Sequence, residues 1–365
     1  MSDTVTGSGF SVPSFDNDKP KTTRNPRTRA KQKAASKLIE AVDFLLLAAD
    51  PKSPMTWQHH SRFVSCFGTS ANGKIRAGHP IEEDLTLCPH LGMLQAALKK
   101  TGASIAMTPI DAARLSIAGG SAKFVVPCAP GESLPPIMFA PPIAPIDDRI
   151  KQGFAALLKL AKDEADTLHE STLLLRANTV VGCNGKLAME YWHGNDLPPA
   201  LNIPQAFAKA VVSVQKPLIG FGWVEDRSVT FHFEGGAWLA TQLYEGTWPQ
   251  SIDGFLNAQC DLEPCPAKLF EALDTIKDFS KDGTVHFHDD KLKTTYAAYA
   301  DEQQGAPYGA TYEVEGLSGL HSFSASLLQL AQPGCAEIDY KTHEDRMIFY
   351  NQEAWLRGVL MKCIA

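Results

Sequence analysis

Few residues in this chain of 365 stand at spacings that chemistry uses. The first to test are His286, His288, Asp289 and Asp290, because alternate residues of a strand share a face and two imidazoles beside a carboxylate suit a metal ion. The same pattern reads more economically as a polar strand edge entering an Asp-Asp turn, and no metal ligand is assigned. His59-His60 is an isolated pair. The eight cysteines (Cys66, Cys88, Cys128, Cys183, Cys260, Cys265, Cys335, Cys363) include no CxxC pair and no cluster at zinc-ligand spacing, so buried reduced thiols are expected. The chain also lacks a Walker A loop, a GxGxxG following a strand, HExxH and GxSxG. No catalytic residue and no cofactor is expected, which makes the chain a non-enzyme.

The residues that do recur with regular spacing are lysines beside apolar helical stripes. Leu38, Ile39, Val42, Leu45, Leu46 and Ala49 fall on one helical face, with Lys33 and Lys37 pointing away. A second helix is expected from Pro89 through Leu91, Leu94 and Leu98 to Lys99-Lys100. Ile150, Phe154, Leu157, Leu158 and Ala161 form a third stripe, and at about 100° per residue Lys151, Lys159 and Lys162 cluster on the adjoining face. A helix opening at Pro204 buries Phe207, Ala210, Val211 and Val214 and leaves Lys209 outside. Two more helices are expected at 269–276 and 323–330, the last without a basic residue.

Strands fill the intervals, and their pattern repeats. Val229, Phe231 and Phe233 alternate, Gly235-Gly236 turns the chain, and Ala237-Trp238-Leu239 continues it, which predicts a half-buried antiparallel hairpin. Glu225-Asp226-Arg227 and Ala237-Trp238-Leu239 are echoed by Glu344-Asp345-Arg346 and Ala354-Trp355-Leu356, so Trp355 is expected to anchor a core as Trp238 does. Asp111, Arg114, Gly119-Gly120 and Phe124 give a third, weaker echo. Asn72-Gly73-Lys74 likewise returns as Asn184-Gly185-Lys186. A period near 115 residues matches ordinary domain size, roughly 100 to 150 residues, and predicts three repeated units.

Charge is unevenly placed. Met1 to Lys37 holds eight Lys/Arg against three Asp, so a chain of net −7 is a basic arm of +5 on an acidic body of −12. The first 30 residues lack hydrophobic periodicity and are expected to form a disordered arm, in which Lys19, Lys21, Arg24, Arg27 and Arg29 stand as a solvated tail or a nucleic-acid contact. An acidic body holds DNA only if its lysines are segregated onto one surface. No apolar run approaches the roughly 20 residues of a membrane helix, and the N-terminus lacks a signal-peptide core, so the expected location is cytoplasmic, with no membrane partner.

Three helix-plus-sheet repeats over residues 31–365 resemble the bacterial DNA polymerase sliding clamp, the β-subunit family of DNA polymerase III. Asn184-Gly185-Lys186-Leu187-Ala188 is similar to the family's Asp-Gly-His-Arg-Leu-Ala turn. Glu245-Gly246-Thr247-Trp248-Pro249 is similar to its Gly-x-Phe-Pro junction, and Leu360-Met361-Lys362-Cys363 to its Met-Pro-Met end. The shorter turn without a His-Arg pair, the missing terminal Pro and the added basic arm mark a divergent, remote member of the kind a virus would encode.

The resemblance implies an α+β fold: a basic arm (1–30) and three clamp domains (31–138, 139–252, 253–365), each with two helices packed on antiparallel sheets, forming half of a ring. It implies a head-to-tail homodimer that encircles double-stranded DNA without reading sequence, with Lys33, Lys37, Lys99, Lys100, Lys151, Lys159, Lys162 and Lys209 facing the DNA. It further implies that DNA polymerase, clamp loader and repair proteins dock short peptides against Gly185, Lys186, Leu187, Trp248, Pro249, Leu360 and Met361. A rival reading is a clamp-like decoy or scaffold that binds polymerase or loader without encircling DNA.

Overall fold

The computed structural model describes residues 37–48, 57–60, 63–70, 73–81, 87–101, 105–129, 139–162, 165–198, 200–225, 227–295 and 309–363, with side chains from residue 75 onward in the 57–81 stretch. Lys33, the basic arm, Asn72 and Asp226 lie outside the described residues.

Helices pack in pairs. Helix α1 (37–45) lies against α2 (Leu91–Thr101), where Gln95 Nε2 donates to Asp43 Oδ1 at 2.5 Å and Lys99 pairs with the same carboxylate at 3.2 Å. Helix α3 (Arg149–Leu157) is followed by the single turn α4 (Leu168–Ser171) and packs on α5 (Gln205–Ser213). After α6 (Ser251–Leu256) the third pair is α7 (Leu269–Ile276) with α8 (Ala325–Ala331), and Gln329 Nε2 donates to Asp274 Oδ1 at 2.8 Å. The Asp-Gln bridge of the first pair therefore returns in the third. Its sequence basis is local: Leu38-Ile39-Glu40-Ala41-Val42-Asp43 and Leu269-Phe270-Glu271-Ala272-Leu273-Asp274 share one apolar spacing. Pro89 and Pro204 close short strands just before α2 and α5 rather than opening the helices, and a proline there gives up no ladder donor that the sheet requires.

Two large antiparallel sheets join segments far apart in sequence. One of seven strands runs 57–60, 63–70, 73–80, 238–242, 228–233, 218–224 and 144–145. The expected hairpin is its centre, with Phe231 opposite Leu239. Trp238 stands opposite Gly78, and a Cβ at Gly78 would lie 2.1 Å from the indole, so only glycine admits the ring at this seam. The other, of eight strands, runs 201–204, 172–175, 179–183, 187–192, 356–361, 346–351, 337–339 and 263–264. Its seam pairs Leu187 with Leu360 and Glu190 with Arg357. Two four-stranded sheets stand apart: 88–89, 122–129, 114–119 and 106–111, and 311–313, 291–293, 284–288 and 321–324. In the latter, Asp289 and Asp290 both take positive φ in a hairpin turn, as the local sequence predicts.

The main core lies between helices and sheets and is filled by side chains such as Phe154, Phe207, Phe231, Phe287 and Phe323. A second, smaller core covers the opposite face of the eight-stranded sheet, where Leu174, Val181, Ala188, Ile348 and Val359 meet Ile252 and Leu256 of α6. Trp355 departs from expectation: Trp238 is 3% exposed, whereas Trp355 is 56% exposed and sits in a turn at φ +56°.

Buried neutral histidines make the fold acid-sensitive. Burial lowers His193 to about 4, and His321 to about 4 with Lys362 and Lys341 adding to the effect; His79, His232 and His286 shift the same way, each chiefly by burial. An unfolded histidine binds its proton near pH 6.5, so between about 6.5 and 4 the unfolded chain holds more protons and stability falls as pH falls. Thermal unfolding at constant ionic strength should show a midpoint that declines steadily from pH 7 to pH 5; a flat profile would contradict these shifts.

Candidate functional site

The site lies where the chain's C-terminal strand seals the eight-stranded sheet. Asn184 Oδ1 accepts the backbone N–H groups of Lys186 (3.2 Å) and Leu187 (2.8 Å), closing a tight turn in which Gly185 takes φ +81°. Strand 187–192 then pairs with 356–361, and Met361 N–H donates to Lys186 O at 2.8 Å. Beyond it, Lys362 Nζ donates to Tyr340 O (2.7 Å) and His343 O (2.6 Å), which fixes the end of the strand. The linker 243–250 crosses in front, held by Asn202 Nδ2, which donates to the carbonyls of Tyr244 and Gly246 at 2.9 Å each. It delivers Trp248 against the smaller core, edge-on to His169 with centroids 6.2 Å apart, and Pro249 to the start of α6.

Between turn, linker, α6 and the last strand lies an apolar groove of about 150 Å³. Five of the seven expected residues line it: Gly185, Lys186, Leu187, Pro249 and Met361. Trp248 packs beside them on the smaller core. Leu360 does not reach the groove, because alternate strand residues face opposite ways and it is fully buried in the main core. Sequence reasoning missed His169, Cys183, Ile252, Phe255 and Val359. Arg346 lies 4.6 Å over the Phe255 ring and fixes that rim by a cation–π contact. Burial pushes the Cys183 thiol up, so it serves the groove as an apolar wall.

No protein-family model and no curated protein matches this sequence. Solved structures do. The DNA polymerase III β subunit of Pseudomonas aeruginosa superposes with TM-score 0.71 at 13% identity over 91% of this chain and 98% of that one. The fold is that of the bacterial sliding clamp. The Caulobacter crescentus DNA polymerase sliding clamp gives TM-score 0.72 at 15% identity, covering 91% and 98%, and the Helicobacter pylori β clamp bound to a DNA ligase peptide gives 0.71 at 10%, covering 91% and 99%.

Within the clamp fold the candidate lysines differ in freedom. Lys100, Lys159, Lys162 and Lys209 are exposed, and Lys37 is exposed at the start of α1. Lys99 is held by Asp43. Lys151 is engaged within the chain: its ammonium donates to Lys216 O at 3.0 Å and pairs with Asp148 at 3.1 Å, leaving little of it to solvent. It braces Lys216, which in turn pairs with Glu40 of α1 at 2.8 Å and donates to His79 Nε2 at 2.8 Å. Helix α3 also ends at Leu157, so Lys159 sits on a 3₁₀ turn and Lys162 in the segment after it rather than on one helical face with Lys151.

Proposed function

We propose that this chain is a DNA sliding clamp, a divergent member of the β-subunit family and a non-enzymatic processivity factor. In this reading two copies close a ring around duplex DNA and tether a polymerase and other partners. The observation that carries the reading is a clamp fold spanning nine-tenths of the chain with an apolar groove at its C-terminal seam. The proposed division into domains at 31–138, 139–252 and 253–365 is supported by the three helix pairs, while its second boundary falls inside α6.

Ring closure has a physical basis in the sheets. Strands 238–242 and 356–361 each pair across a seam, with 73–80 and 187–192. Among the described residues, their counterpart Ala122–Ala129 pairs outward only at its last two residues, and Thr311–Glu313 pairs only with Lys291–Lys293. Unpaired edges of this kind seek partners, and joining one to the other between two copies gives a head-to-tail contact that closes on itself. Exposed Val125 and Lys123 on the first edge face solvent in the single chain.

DNA carries one negative charge per roughly 1.7 Å of axis, so lysines inside a ring attract it without sequence readout. Lys37, Lys99, Lys100, Lys159, Lys162 and Lys209 are the proposed set among the described residues. The groove is proposed to take short apolar peptides from polymerase, loader and repair proteins, as a ligase peptide is bound to the Helicobacter clamp. A cytoplasmic location accords with this role; among the described residues no helix is long and apolar enough to cross a membrane.

The second reading, a decoy or scaffold off DNA, is favoured by one observation: α8 carries no charge and α7 offers Glu271 and Asp274. One experiment separates the two. A clamp stays on nicked circular plasmid through gel filtration, leaves when the plasmid is linearised, and has a solution mass twice 39.7 kDa. A monomer that never co-elutes with circular DNA is not a clamp. Reversing Lys159, Lys162 and Lys209 to Glu should lower the salt slope of DNA association by about 3 and shorten retention while the dimer mass is unchanged. Unaltered retention would remove these positions from the pore.

A further inference from the structure

The eight-stranded sheet carries a second groove on the same outer face as the first, across α6 from it. It encloses about 760 Å³ and is lined by Trp192, Tyr350 and Trp355 together with Glu353, Glu190 and Arg357. The three aromatics are 50%, 36% and 56% exposed, an unusual concentration on one surface. The turn that presents Trp355 is deliberate in its geometry. Asn351 Oδ1 accepts Ala354 N–H at 3.1 Å, Asn351 Nδ2 donates to Pro333 O at 2.8 Å, and Trp192 N–H donates to Trp355 O at 2.9 Å. These bonds hold Trp355 in the left-handed region at φ +56°, which a bulky residue ordinarily avoids, and such strain gathers at binding sites.

Charge decides what would bind. Arg357 is committed to Glu190 and to Asn257 Oδ1 (3.1 Å), and Arg176 to Glu190 and Asp253, so the floor offers no free cation. Glu353 at the mouth has no ion-pair partner among the described residues. Aromatic faces beside an uncompensated carboxylate, on a chain of net −7, suit a cation and repel phosphate.

We propose that this groove is a second docking site, which receives an arginine or lysine side chain from a partner protein, stacked on Trp192 and Trp355 and paired with Glu353. The site stands apart from the clamp reading, since it requires neither a ring nor DNA. The test uses the full chain, whose six tryptophans give six indole N–H signals in NMR. Acetyl-arginine amide at millimolar concentration should shift the Trp192 and Trp355 signals and leave Trp223 and Trp238 in place. Glu353→Gln should weaken that binding about threefold. Trp355→Gly should abolish it while keeping or raising the melting temperature, because glycine relieves the positive φ. The proposal is overturned if no signal moves, if acetyl-norleucine amide moves the same signals equally, or if thymidine monophosphate does so, which would indicate a base-stacking surface.

Discussion

Replacing Glu190 with alanine should cost about 3–5 kcal/mol, the largest stability loss expected from one polar substitution in this chain. Glu190 is buried at the seam between strands 187–192 and 356–361. Its carboxylate accepts from Thr179 Oγ1 at 2.7 Å, Arg176 at 3.3 Å and Arg357 Nε at 2.8 Å. Both guanidiniums also reach α6 and the residue that follows it, through Asp253 and Asn257, so one acid ties two strands and a helix together. Removing it leaves Arg357 without a carboxylate partner and Arg176 with Asp253 alone. Thermal and denaturant unfolding would check this, and Glu190→Gln should lose less because the amide still accepts from Thr179. A loss under about 1 kcal/mol for the alanine variant would mean that water replaces the carboxylate and that the pairs count as surface ones.

This network also marks the boundary of what the sequence makes legible. Periodic signals are local, and where they run long the structure follows them: the apolar stripes at 38–48, 91–98 and 269–276 became helices, and the alternation around Gly235-Gly236 became a hairpin. Pairings across seams join residues more than 150 positions apart, as Glu190 with Arg357, and no local period encodes them. The Ala-Trp-Leu echo misleads for a related reason. Leu239 and Leu356 are both buried strand residues at a seam, but a turn ending in positive φ precedes Leu356 and throws Trp355 outward. Lys151 looked equivalent to its neighbours because helical geometry gives direction, not partners; Asp148 and the Lys216 carbonyl claim it.

The groove was legible in part through family resemblance and scarcely through pattern. Its turn and its terminal Met361 carry quotable residues, whereas α6 is six residues long, too short to show a period, and supplies Ile252 and Phe255. Leu360 was a neighbour of the groove in sequence and faces away from it in the sheet.

Blocking the groove proposed to take partner peptides should weaken their binding strongly. Met361 is part-exposed, lines the groove, and lies at the end of a strand whose tip is fixed by Lys362. Deleting the last residues would therefore damage the fold as well as the groove, and a point substitution is the cleaner probe. Met361→Glu places a carboxylate where a large apolar side chain of the peptide would be buried. Burying such a side chain is worth about 1.5–3 kcal/mol, so binding of a labelled short apolar peptide should weaken by roughly ten- to a hundredfold in anisotropy titrations. The unfolding midpoint and solution mass should stay at wild-type values, since no buried core position changes. Phe255→Ala should weaken the same peptide by a smaller factor, because it removes one wall and leaves the Arg346 guanidinium without its ring. Undiminished peptide binding by Met361→Glu would place the docking site elsewhere on the clamp fold.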